Sequence, residues 1–422
     1  MSPSPPPPGA GPRRLKIAIV SGILHPALGG PATVVARHAR ALQEKMDVTV
    51  FGVALPERTP EVEKIFARVR VFPATWPRRW FRGKGLYQAL VRALPEFDVV
   101  HAHMLWDHPV WAASRIAQKH RIPFILTPHG SMMEPWRHRT PHKRLYRALL
   151  GNTILKHTAA LHALNQEEEA ACRRARVTTP IRIVPNGLEK AEFQQNGNLE
   201  RGLQRWPNLR GKRVLLYLGR LWEGKGLGLL ARAWANCMGR SPGADPRKLP
   251  DAHHIHSPNK IISREPSWIL VLAGPDYRGF RQALEKELVS LGIDQQLFLP
   301  GPVSGEAKMD LLGLASGFVL PSLSEGFSMA LLEGMAQGLP AIYTTGCHFP
   351  ALAEQGGGIE VEASETGLES GLRQFFAMNP SSQQEMGQRG YQLAQSQFTM
   401  DRVAGDLEEI YREAITALKA RG

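Results

Sequence analysis

The sequence predicts an α/β protein made of two doubly wound, Rossmann-like domains. Its 422 residues are enough for two or three domains of ordinary size. Short apolar runs bounded by Gly, Pro or His alternate with segments of helical spacing, a pattern typical of a parallel sheet covered on both faces. The alternation stops near residues 190–212 and then resumes. Two such domains are therefore expected, joined by a polar linker.

The first series of buried strands begins with the apolar run 16–20. Because this run follows basic residues, a signal peptide is the alternative, but no small-residue cleavage site follows it. Helices are expected between the strands, for example over 32–45 and 109–120. The strands of this series are predicted at 16–20, 47–51, 98–102, 123–127, 159–164 and 182–185.

The second series begins after the polar segment and ends in an amphipathic helix over 401–418. Its strands are predicted at 214–219, 268–274, 297–301, 318–322 and 341–345. The expected organisation is a disordered Pro-rich tail (1–12), an N-terminal domain (13–188), a linker (189–212), a C-terminal domain (213–397) with a mobile insertion (239–266), and a C-terminal helix (398–422).

Composition excludes several classes of protein. Hydrophobic residues make up 43% and charged residues 21%, which is ordinary for a globular chain. Three widely spaced cysteines without a CxxC pair favour neither a disulfide framework nor a zinc site, and indicate a reducing compartment. No apolar run approaches the roughly 18 residues of a transmembrane span. His253, His254 and His256 of the insertion could bind a metal, but a solvated loop is the simpler interpretation.

The turn after the first strand contains Gly29 and Gly30. The turn opens a helix, where backbone amides and the helix dipole favour an anion, and the glycines would let the backbone approach a phosphate. No GxGxxG is present, which argues against a nicotinamide enzyme. A plain turn is the alternative.

The corresponding turn of the second series carries two cations, Arg220 and Lys225. They follow a strand's carboxyl end, where open α/β sheets bind ligands. Arginine can hold a phosphate through two hydrogen bonds and lysine adds a point charge. No P-loop is present, and a solvated pair is the alternative.

Two glutamates eight positions apart form the strongest signal, within 318–340. Glu325 lies in a loop and Glu333 on the following helix, predicted from Met329 to Gln337 with Ser328 as N-cap and Gly338 after its end. Carboxylates suit sugar hydroxyls because each accepts several O–H bonds. Both could be surface acids, yet Glu333 stands in an otherwise apolar helix, where an unpaired charge is costly.

These residues resemble the E-x7-E signature of glycosyltransferase family 4, the retaining "group 1" enzymes of polysaccharide biosynthesis. The resemblance covers nearly the whole chain. It includes the glycine pair, TPHG (127–130), VPNGLE (184–189) and GRLWEGKG (219–226). It implies the GT-B fold, in which two doubly wound Rossmann-like domains face each other across a cleft. The resemblance further implies that 13–188 is the acceptor domain, that 213–397 is the nucleotide-sugar domain, and that the helix 398–422 packs back on the N-terminal domain.

The resemblance also implies roles for individual residues. Arg220 and Lys225 would bind the diphosphate of a nucleotide sugar, and Glu333 the ribose hydroxyls. Glu325 would hold the donor sugar, with help from amides around Phe327, Ser328 and Met329. Gly29 and Gly30 would face the diphosphate, His129 would lie beside the reacting carbon, and Val303 would meet the base through its backbone. His103 would line the cleft or be structural.

No D-x-D pair is present, so no metal and no cofactor is expected; the cations and helix amides would stabilise the departing diphosphate instead. The leaving phosphate would take the acceptor proton, as the resemblance implies. Two departures from the family pattern leave the donor's identity open: Ser328 in EGFS where EGFG is common, and 346–350 (GCHFP) where Gly-Gly is common.

The charge of +14 is unevenly distributed, with +14 in residues 1–150, +8 in 151–300 and −8 in 301–422. Segments 66–92 and 136–147 interleave cations with Trp, Phe and Tyr, a composition that suits an anionic membrane surface. No nucleic-acid motif accompanies them, although nucleic acid and a merely solvated face are rival interpretations. We expect a cytoplasmic protein, peripheral on the inner face of the plasma membrane.

The predicted function is transfer of a hexosyl unit, with retention, from a nucleotide-diphosphate sugar to a glycan or lipid-linked acceptor in surface polysaccharide or lipopolysaccharide assembly. Two alternatives remain. A GT-B epimerase or hydrolase would share the phosphate site and need no acceptor surface. A non-catalytic sugar-nucleotide binder would bind without turnover.

Overall fold

The chain divides into two compact α/β units. The structure is a computed structural model, and it describes residues 13–25, 30–75, 80–133, 146–195, 197–238 and 267–420. The N-terminal unit comprises the described residues up to Gly187 together with those from Met400 onward, and the C-terminal unit is Leu188–Thr399. The expected tail 1–12 and insertion 239–266, with its three histidines, lie outside the described residues.

The N-terminal unit is built on a parallel sheet of seven strands in the order β3-β2-β1-β4-β5-β6-β7. The strands are β1 (Lys16–Ser21), β2 (Asp47–Ala54), β3 (Val69–Pro73), β4 (Val99–His103), β5 (Phe124–Thr127), β6 (Ala160–Ala163) and β7 (Ile181–Ile183). Its helices are α1 (Gly30–Gln43), α2 (Thr59–Ile65), α3 (Leu86–Ala93), α4 (His108–Lys119), α5 (Asn152–His157), α6 (Gln166–Arg174) and the last helix of the chain, α16 (Met400–Lys419).

The sheet is buried on both faces, as the apolar runs predict. In β1, Ile17 and Ile19 pack with one hydrophobic cluster, while Ala18 and Val20 pack with another. Successive side chains of a strand point to opposite faces, so a run apolar at every position must be covered twice.

Helix α16 supplies part of this cover within the N-terminal unit. The helix predicted over 401–418 runs from Met400 to Lys419 and packs against α1, with Val403, Leu407 and Tyr411 buried. Tyr411 Oη lies 2.7 Å from His101 Nδ1, which ties the end of the chain to β4.

The C-terminal unit contains a parallel sheet of six strands in the order β10-β9-β8-β11-β12-β13. The strands are β8 (Arg213–Leu218), β9 (Trp268–Ala273), β10 (Leu297–Gly301), β11 (Ala315–Leu320), β12 (Ala341–Thr344) and β13 (Gly358–Val361). The helices are α7 (Lys190–Gln194), α8 (Leu199–Arg205), α9 (Leu227–Cys237), α10 (Phe280–Ser290), α11 (Gly305–Leu314), α12 (Met329–Ala336), α13 (Pro350–Glu354), α14 (Glu365–Ala377) and α15 (Pro380–Gln397).

Each sheet has one place where the strand order reverses direction. In the N-terminal unit this switch point lies between β1 and β4, and in the C-terminal unit between β8 and β11. The chain leaves these neighbouring strands toward opposite faces, which opens a crevice at their carboxyl ends, the usual ligand site of such sheets.

The prediction of a linker over 189–212 is wrong. This segment forms α7 and α8 and belongs to the C-terminal unit. Its polar residues have partners: Arg201 Nε donates to Asp310 Oδ2 at 2.7 Å, and Asn198 accepts the amide of Arg201 at the start of α8. A Cβ on Gly197 would lie 2.0 Å from the carbonyl oxygen of Met309, so the backbone approaches α11 closely. The polar composition of 189–212 therefore did not indicate that this segment is helical and packed.

Strands β3 and β13 were not predicted from the sequence. Most of their side chains are only partly buried, since both strands lie at sheet edges. Among the described residues, no helix is both long and apolar enough to cross a membrane.

Candidate active site

Two loops meet at the switch point of the C-terminal sheet. One follows β8 and contains a short 3₁₀ turn, Glu223–Lys225; the other follows β11. Gly226 adopts a φ of +66°, and a Cβ there would lie 2.0 Å from the carbonyl oxygen of Pro321. Leu323 N also donates to Gly224 O at 3.1 Å. Only glycine permits this approach, and it fixes the two loops against each other.

Lys225 and Glu325 face each other across these loops. The Lys225 ammonium bonds to Glu325 Oε1, and their side chains are 21% and 12% exposed. Ser322 Oγ donates to the same oxygen at 2.6 Å. The described residues give Glu325 Oε2 no partner, so this oxygen can accept a ligand hydroxyl.

Arg220 lies in the loop after β8, the loop that also contains Lys225. Its exposed guanidinium lies over the Tyr277 ring at 5.6 Å, and its carbonyl accepts from Tyr217 Oη at 2.8 Å. Burial, with Glu325 nearby, raises the pKa of Tyr217 well above its ordinary value, whereas Arg220 lowers it. The phenol therefore stays neutral and fixes the backbone that presents Arg220.

Cys347 occupies the segment that departs from the family pattern. Burial, followed by the charge of Glu325, raises the pKa of its thiol to about 12. A thiol held protonated is a poor nucleophile. The neighbouring Gly346 has a structural role, since its carbonyl accepts the Glu325 amide at 2.8 Å.

Glu333 is held by a cation that the sequence did not indicate. Lys308 of α11 lies 3.0 Å from Glu333 Oε1, and the two side chains are 27% and 17% exposed. Because Glu333 is paired with Lys308, it does not carry the free-energy cost of an unpaired charge in an apolar helix. Lys308 is 25 positions away in the sequence, so spacing alone could not identify it.

The start of α12 follows the sequence prediction. Ser328 is the N-cap, and its hydroxyl accepts the amide of Leu331 at 3.3 Å; Gly338 follows the helix with a φ of +68°. The Phe327 ring packs 5.7 Å from Phe349, so this side chain anchors the loop while its backbone remains the part expected near a ligand. Met329 is the first residue of the helix.

Val303 lies in the loop between β10 and α11 and packs partly buried against the hydrophobic core. Gly30 is the first residue of α1 in the N-terminal unit, and a Cβ there would meet nothing within 4 Å. Its neighbour Gly29 lies outside the described residues.

His129 lies after β5 in the N-terminal unit with an unusual backbone. Its φ is +54°, a strained value for a non-glycine residue. Its Nε2 is 2.8 Å from His103 Nδ1, and the two rings stack. Desolvation, helped by His162, lowers the pKa of His129 to about 3, so the ring is neutral near pH 7. One of the two nitrogens donates and the other accepts.

A cluster of buried histidines surrounds this pair, and it is not evident from the sequence because its members lie far apart along the chain. Thr127 Oγ1 lies 2.7 Å from both His101 Nε2 and His162 Nδ1, and His162 Nε2 is 2.7 Å from Val184 O. His38 packs against three of these rings. In the described parts of the chain, no group of His, Cys, Asp or Glu has the arrangement to hold a metal ion.

The structure therefore brings the predicted residues together in two sets. Arg220, Lys225 and Glu325 lie at the switch point of the C-terminal sheet, with the Glu333–Lys308 pair on neighbouring helices. His129 and His103 lie in the N-terminal unit, where His103 ends β4 and His129 follows the adjacent strand β5. A doubly wound sheet with cations and carboxylates at its switch point is typical of proteins that bind a small polar ligand there.

Comparison with known proteins identifies the family of this chain. Residues 29–187 match the sequence model of the glycosyl transferase 4-like domain, and residues 202–393 match that of the glycosyl transferases group 1. The chain belongs to the group 1 glycosyltransferases of family 4, and its fold is GT-B.

Among curated relatives, the GDP-mannose:cellobiosyl-diphosphopolyprenol alpha-mannosyltransferase of Xanthomonas oryzae pv. oryzae is 24% identical, over 95% of this chain and 97% of that protein. Among solved structures, Anabaena HepE in complex with UDP has a TM-score of 0.74 and 15% identity, over 94% of this chain and 100% of that one. WaaG, a glycosyltransferase involved in lipopolysaccharide biosynthesis, has a TM-score of 0.64 and 17% identity, over 94% and 99%.

Proposed function

We propose that this glycosyltransferase moves a hexosyl unit, with retention of configuration and without a metal, from a nucleotide-diphosphate sugar to a glycan or lipid-linked acceptor in surface polysaccharide assembly. The observation that carries the proposal is the group at the C-terminal switch point: Lys225, Glu325 and Arg220. HepE binds UDP and the Xanthomonas relative is named for GDP-mannose, which supports a nucleotide-sugar donor and leaves the base open.

In this mechanism the cations stabilise the leaving group. Breaking the bond between the anomeric carbon and the phosphate oxygen leaves negative charge on the diphosphate, and Arg220 and Lys225 would meet that charge from positions set before the reaction. Arg220 offers an exposed guanidinium that can bind bidentately. Lys225 would exchange or share its contact with Glu325 when the diphosphate arrives.

The glutamates would orient the donor. Glu325 Oε2 is available to a sugar hydroxyl, while Ser322 and Lys225 hold the other oxygen in place. Glu333, positioned by Lys308, would accept hydroxyls of the ribose. The new bond forms between the anomeric carbon and the acceptor oxygen on the face that the phosphate leaves, and the acceptor proton passes to a phosphate oxygen. His129, neutral near pH 7, would contribute a hydrogen bond beside the donor sugar.

A membrane-bound acceptor is favoured by the basic first part of the chain. On α3, Tyr87 and Val91 are 42% and 39% exposed beside the cation Arg92, and Trp80 is 46% exposed. Aromatic, aliphatic and basic groups together suit the surface of an anionic leaflet. Trp76, Arg78, Arg79 and residues 136–145 lie outside the described residues. We place the protein in the cytoplasm, peripheral on the inner face of the plasma membrane.

A panel of nucleotide sugars, scored by thermal shift and by slow donor consumption, tests the donor part of the proposal. One base and one sugar should raise the unfolding temperature, since a ligand that binds only the folded state stabilises it. Donor consumption should be unchanged by EDTA. No shift with any donor, or activity that requires a divalent cation, would contradict the proposal.

Co-sedimentation with vesicles tests the membrane part. More protein should pellet with phosphatidylglycerol-containing vesicles than with neutral ones, and the difference should fall with salt. Equal binding to both vesicle types would contradict an electrostatic dock. Free sugar or an epimer as the only product, with lipid acceptors present, would favour an epimerase or hydrolase.

A further inference from the structure

A buried carboxylate lies at the other switch point, that of the N-terminal sheet. Asp107 follows β4 and is 4% exposed, and the strand before it pairs directly with β1. A Cβ placed on Gly22, just after β1, would lie 2.4 Å from Asp107 Oδ2. The carboxylate therefore occupies the crevice between the carboxyl ends of β1 and β4, where a doubly wound sheet binds its ligand.

Asp107 does not cap the helix that it precedes. It is the N-cap residue of α4, but its side chain makes no capping hydrogen bond. Pro109, at the second position of the helix, has no amide hydrogen to offer. The side chain instead points at the loop after β1, and Oδ2 has no hydrogen-bond partner in the described parts of the chain. A buried, unsatisfied carboxylate costs stability, which calls for an explanation in function.

A second unsatisfied polar atom belongs to Tyr146. Its side chain is largely buried, and Oη has no hydrogen-bond partner among the described residues. Trp106, the residue before Asp107, packs its ring 5.7 Å from the Tyr146 ring, and Asp107 contributes to raising the pKa of the phenol. A carboxyl group and a hydroxyl, both buried and each with an unsatisfied oxygen, therefore lie in the same part of the N-terminal unit.

Aromatic rings flank the phenol. Trp106 and Trp80 each meet the Tyr146 ring edge to face, at 5.7 Å and 6.1 Å between centroids. Trp80 is 46% exposed, so this aromatic group reaches solvent. Such rings offer apolar faces to the C–H surface of a sugar while carboxylates and hydroxyls bind its O–H groups.

The hydrogen-bonding groups select the class of ligand. Neither a carboxyl group nor a phenol offers the cation that a phosphate prefers, and no metal-binding arrangement exists among the described residues. A neutral ligand rich in hydroxyl groups satisfies both Asp107 Oδ2, which accepts as a carboxylate and can donate when protonated, and Tyr146 Oη, which can donate or accept. We propose that Asp107 and Tyr146 form a hydroxyl-binding subsite for a sugar ring of the acceptor. The proposal rests on the proposed function, because it identifies where that acceptor binds.

Saturation-transfer NMR on the full-length protein tests the subsite without needing the true acceptor. The probes are glucose, mannose, myo-inositol and cellobiose, each added with the nucleoside diphosphate that the donor panel selects. At least one probe should show saturation transfer in the wild type. Asp107→Leu, which keeps the approximate volume and removes both oxygens, should abolish it, and Tyr146→Phe should weaken it at least threefold.

Three controls separate this role from a structural one. Asp107→Leu should keep or raise the unfolding temperature, because it removes an unsatisfied buried carboxylate. It should also keep the thermal shift caused by the nucleoside diphosphate. Glu96→Gln removes an exposed acid of the same unit and should leave saturation transfer unchanged.

The outcomes distinguish the two proposals. Probes that saturate equally in the wild type and Asp107→Leu, or no probe that saturates in the wild type, would overturn the subsite. Sugar binding that depends on Asp107 in a protein that neither binds nor consumes any nucleotide sugar would support the subsite and contradict the proposed function.

Discussion

At the scale of single residues, Lys225 is paired with the carboxylate of Glu325. The pairing with Glu325 keeps a partly buried cation in place, and the arriving diphosphate would draw on a charge that is already oriented. Charge stabilisation of this kind contributes to rate only if the cation is aimed at the developing negative charge.

Removing either cation should therefore slow turnover more than it weakens binding. For Lys225→Ala and for Arg220→Ala, we expect kcat with the preferred donor to fall about 10²–10³-fold, the range seen when a preorganised electrostatic contact is lost. Lys286→Ala, which removes an exposed cation of the same unit, is the matched control. A kcat/KM within twofold of wild type in both variants would contradict the assignment.

Glu333 should act on binding of the nucleotide rather than on chemistry. Its pairing with Lys308 fixes the carboxylate, and Glu333→Gln would remove the charge while keeping the shape. We expect Kd for the nucleoside diphosphate to rise by about tenfold, corresponding to loss of a charge-assisted hydrogen bond. Isothermal titration calorimetry measures it, with Glu285→Gln as control. An unchanged Kd would leave Glu333 as a structural partner of Lys308 only.

Much of this site was predictable from residue spacing. Arg220, Lys225, Glu325 and Glu333 stand in short, ordered motifs, and three of them form ion pairs in the structure: Lys225 with Glu325, and Glu333 with Lys308. Lys308 and the buried histidines were not predictable, because their partners lie far away in the sequence and only the fold brings them together. The roles of the motif residues remain predictions.

At the scale of elements, the close contact at Gly226 determines how the loops after β8 and β11 meet. Gly226→Ala would introduce a side chain at positive φ and only 2.0 Å from Pro321 O. Gly211 is the matched control: its φ is +70° but a Cβ there would meet nothing within 4 Å. The left-handed conformation alone costs about 1–2 kcal/mol, so we expect that loss for Gly211→Ala and a larger loss for Gly226→Ala.

Urea unfolding of both variants, followed by circular dichroism, measures this difference. Gly226→Ala should also reduce donor consumption, because displacement of either loop separates Lys225 from Glu325. Equal unfolding free energies for the two variants would show that the close approach to Pro321 is not maintained in solution.

Sequence patterns predicted well the strands that are buried on both faces of a sheet. Strands such as β1 and β8 are apolar at successive positions because both of their faces are covered. The edge strand β3 alternates in a weaker pattern and contains the exposed Arg70, and the segment 189–212 is polar although it packs as two helices. In both places the tertiary contacts outweigh the local composition.

At the scale of the whole molecule, buried ionisable groups of the N-terminal unit set an acid limit to stability. Desolvation lowers the pKa values of five clustered histidines from 6.5, to about 3 for His129 and about 4 for His162 and well below the ordinary value for His38, His101 and His103. Burial raises the pKa values of Asp107 and Glu168 to about 7.

The histidines and the two carboxyl groups change the stability of the fold in opposite directions as the pH falls. Below pH 6.5 the unfolded chain protonates its histidines while the folded chain does not, so their contribution to stability is lost as pH falls from 6.5 toward 4. The two carboxyl groups stay protonated in the folded state up to about pH 7, so they favour folding at low pH and lose that contribution as pH rises.

Since five histidines oppose two acids, stability should fall on acidification. Each net proton changes the unfolding free energy by about 1.4 kcal/mol per pH unit. Urea unfolding at about pH 7, 6 and 5, within the range bounded by these pKa values, should show a steady decrease. A free energy of unfolding that is flat or rises as pH falls would contradict the neutral, buried histidine cluster.

The most direct test of the account is the configuration of the new glycosidic bond. With the donor that the panel selects and an acceptor that it glycosylates, ¹H NMR of the reaction gives the anomeric coupling of the first product formed. We expect an α-linked product from an α-linked nucleotide sugar, formed equally well with EDTA. A β-linked product, or free sugar as the sole product with every acceptor, would contradict retaining transfer by this chain.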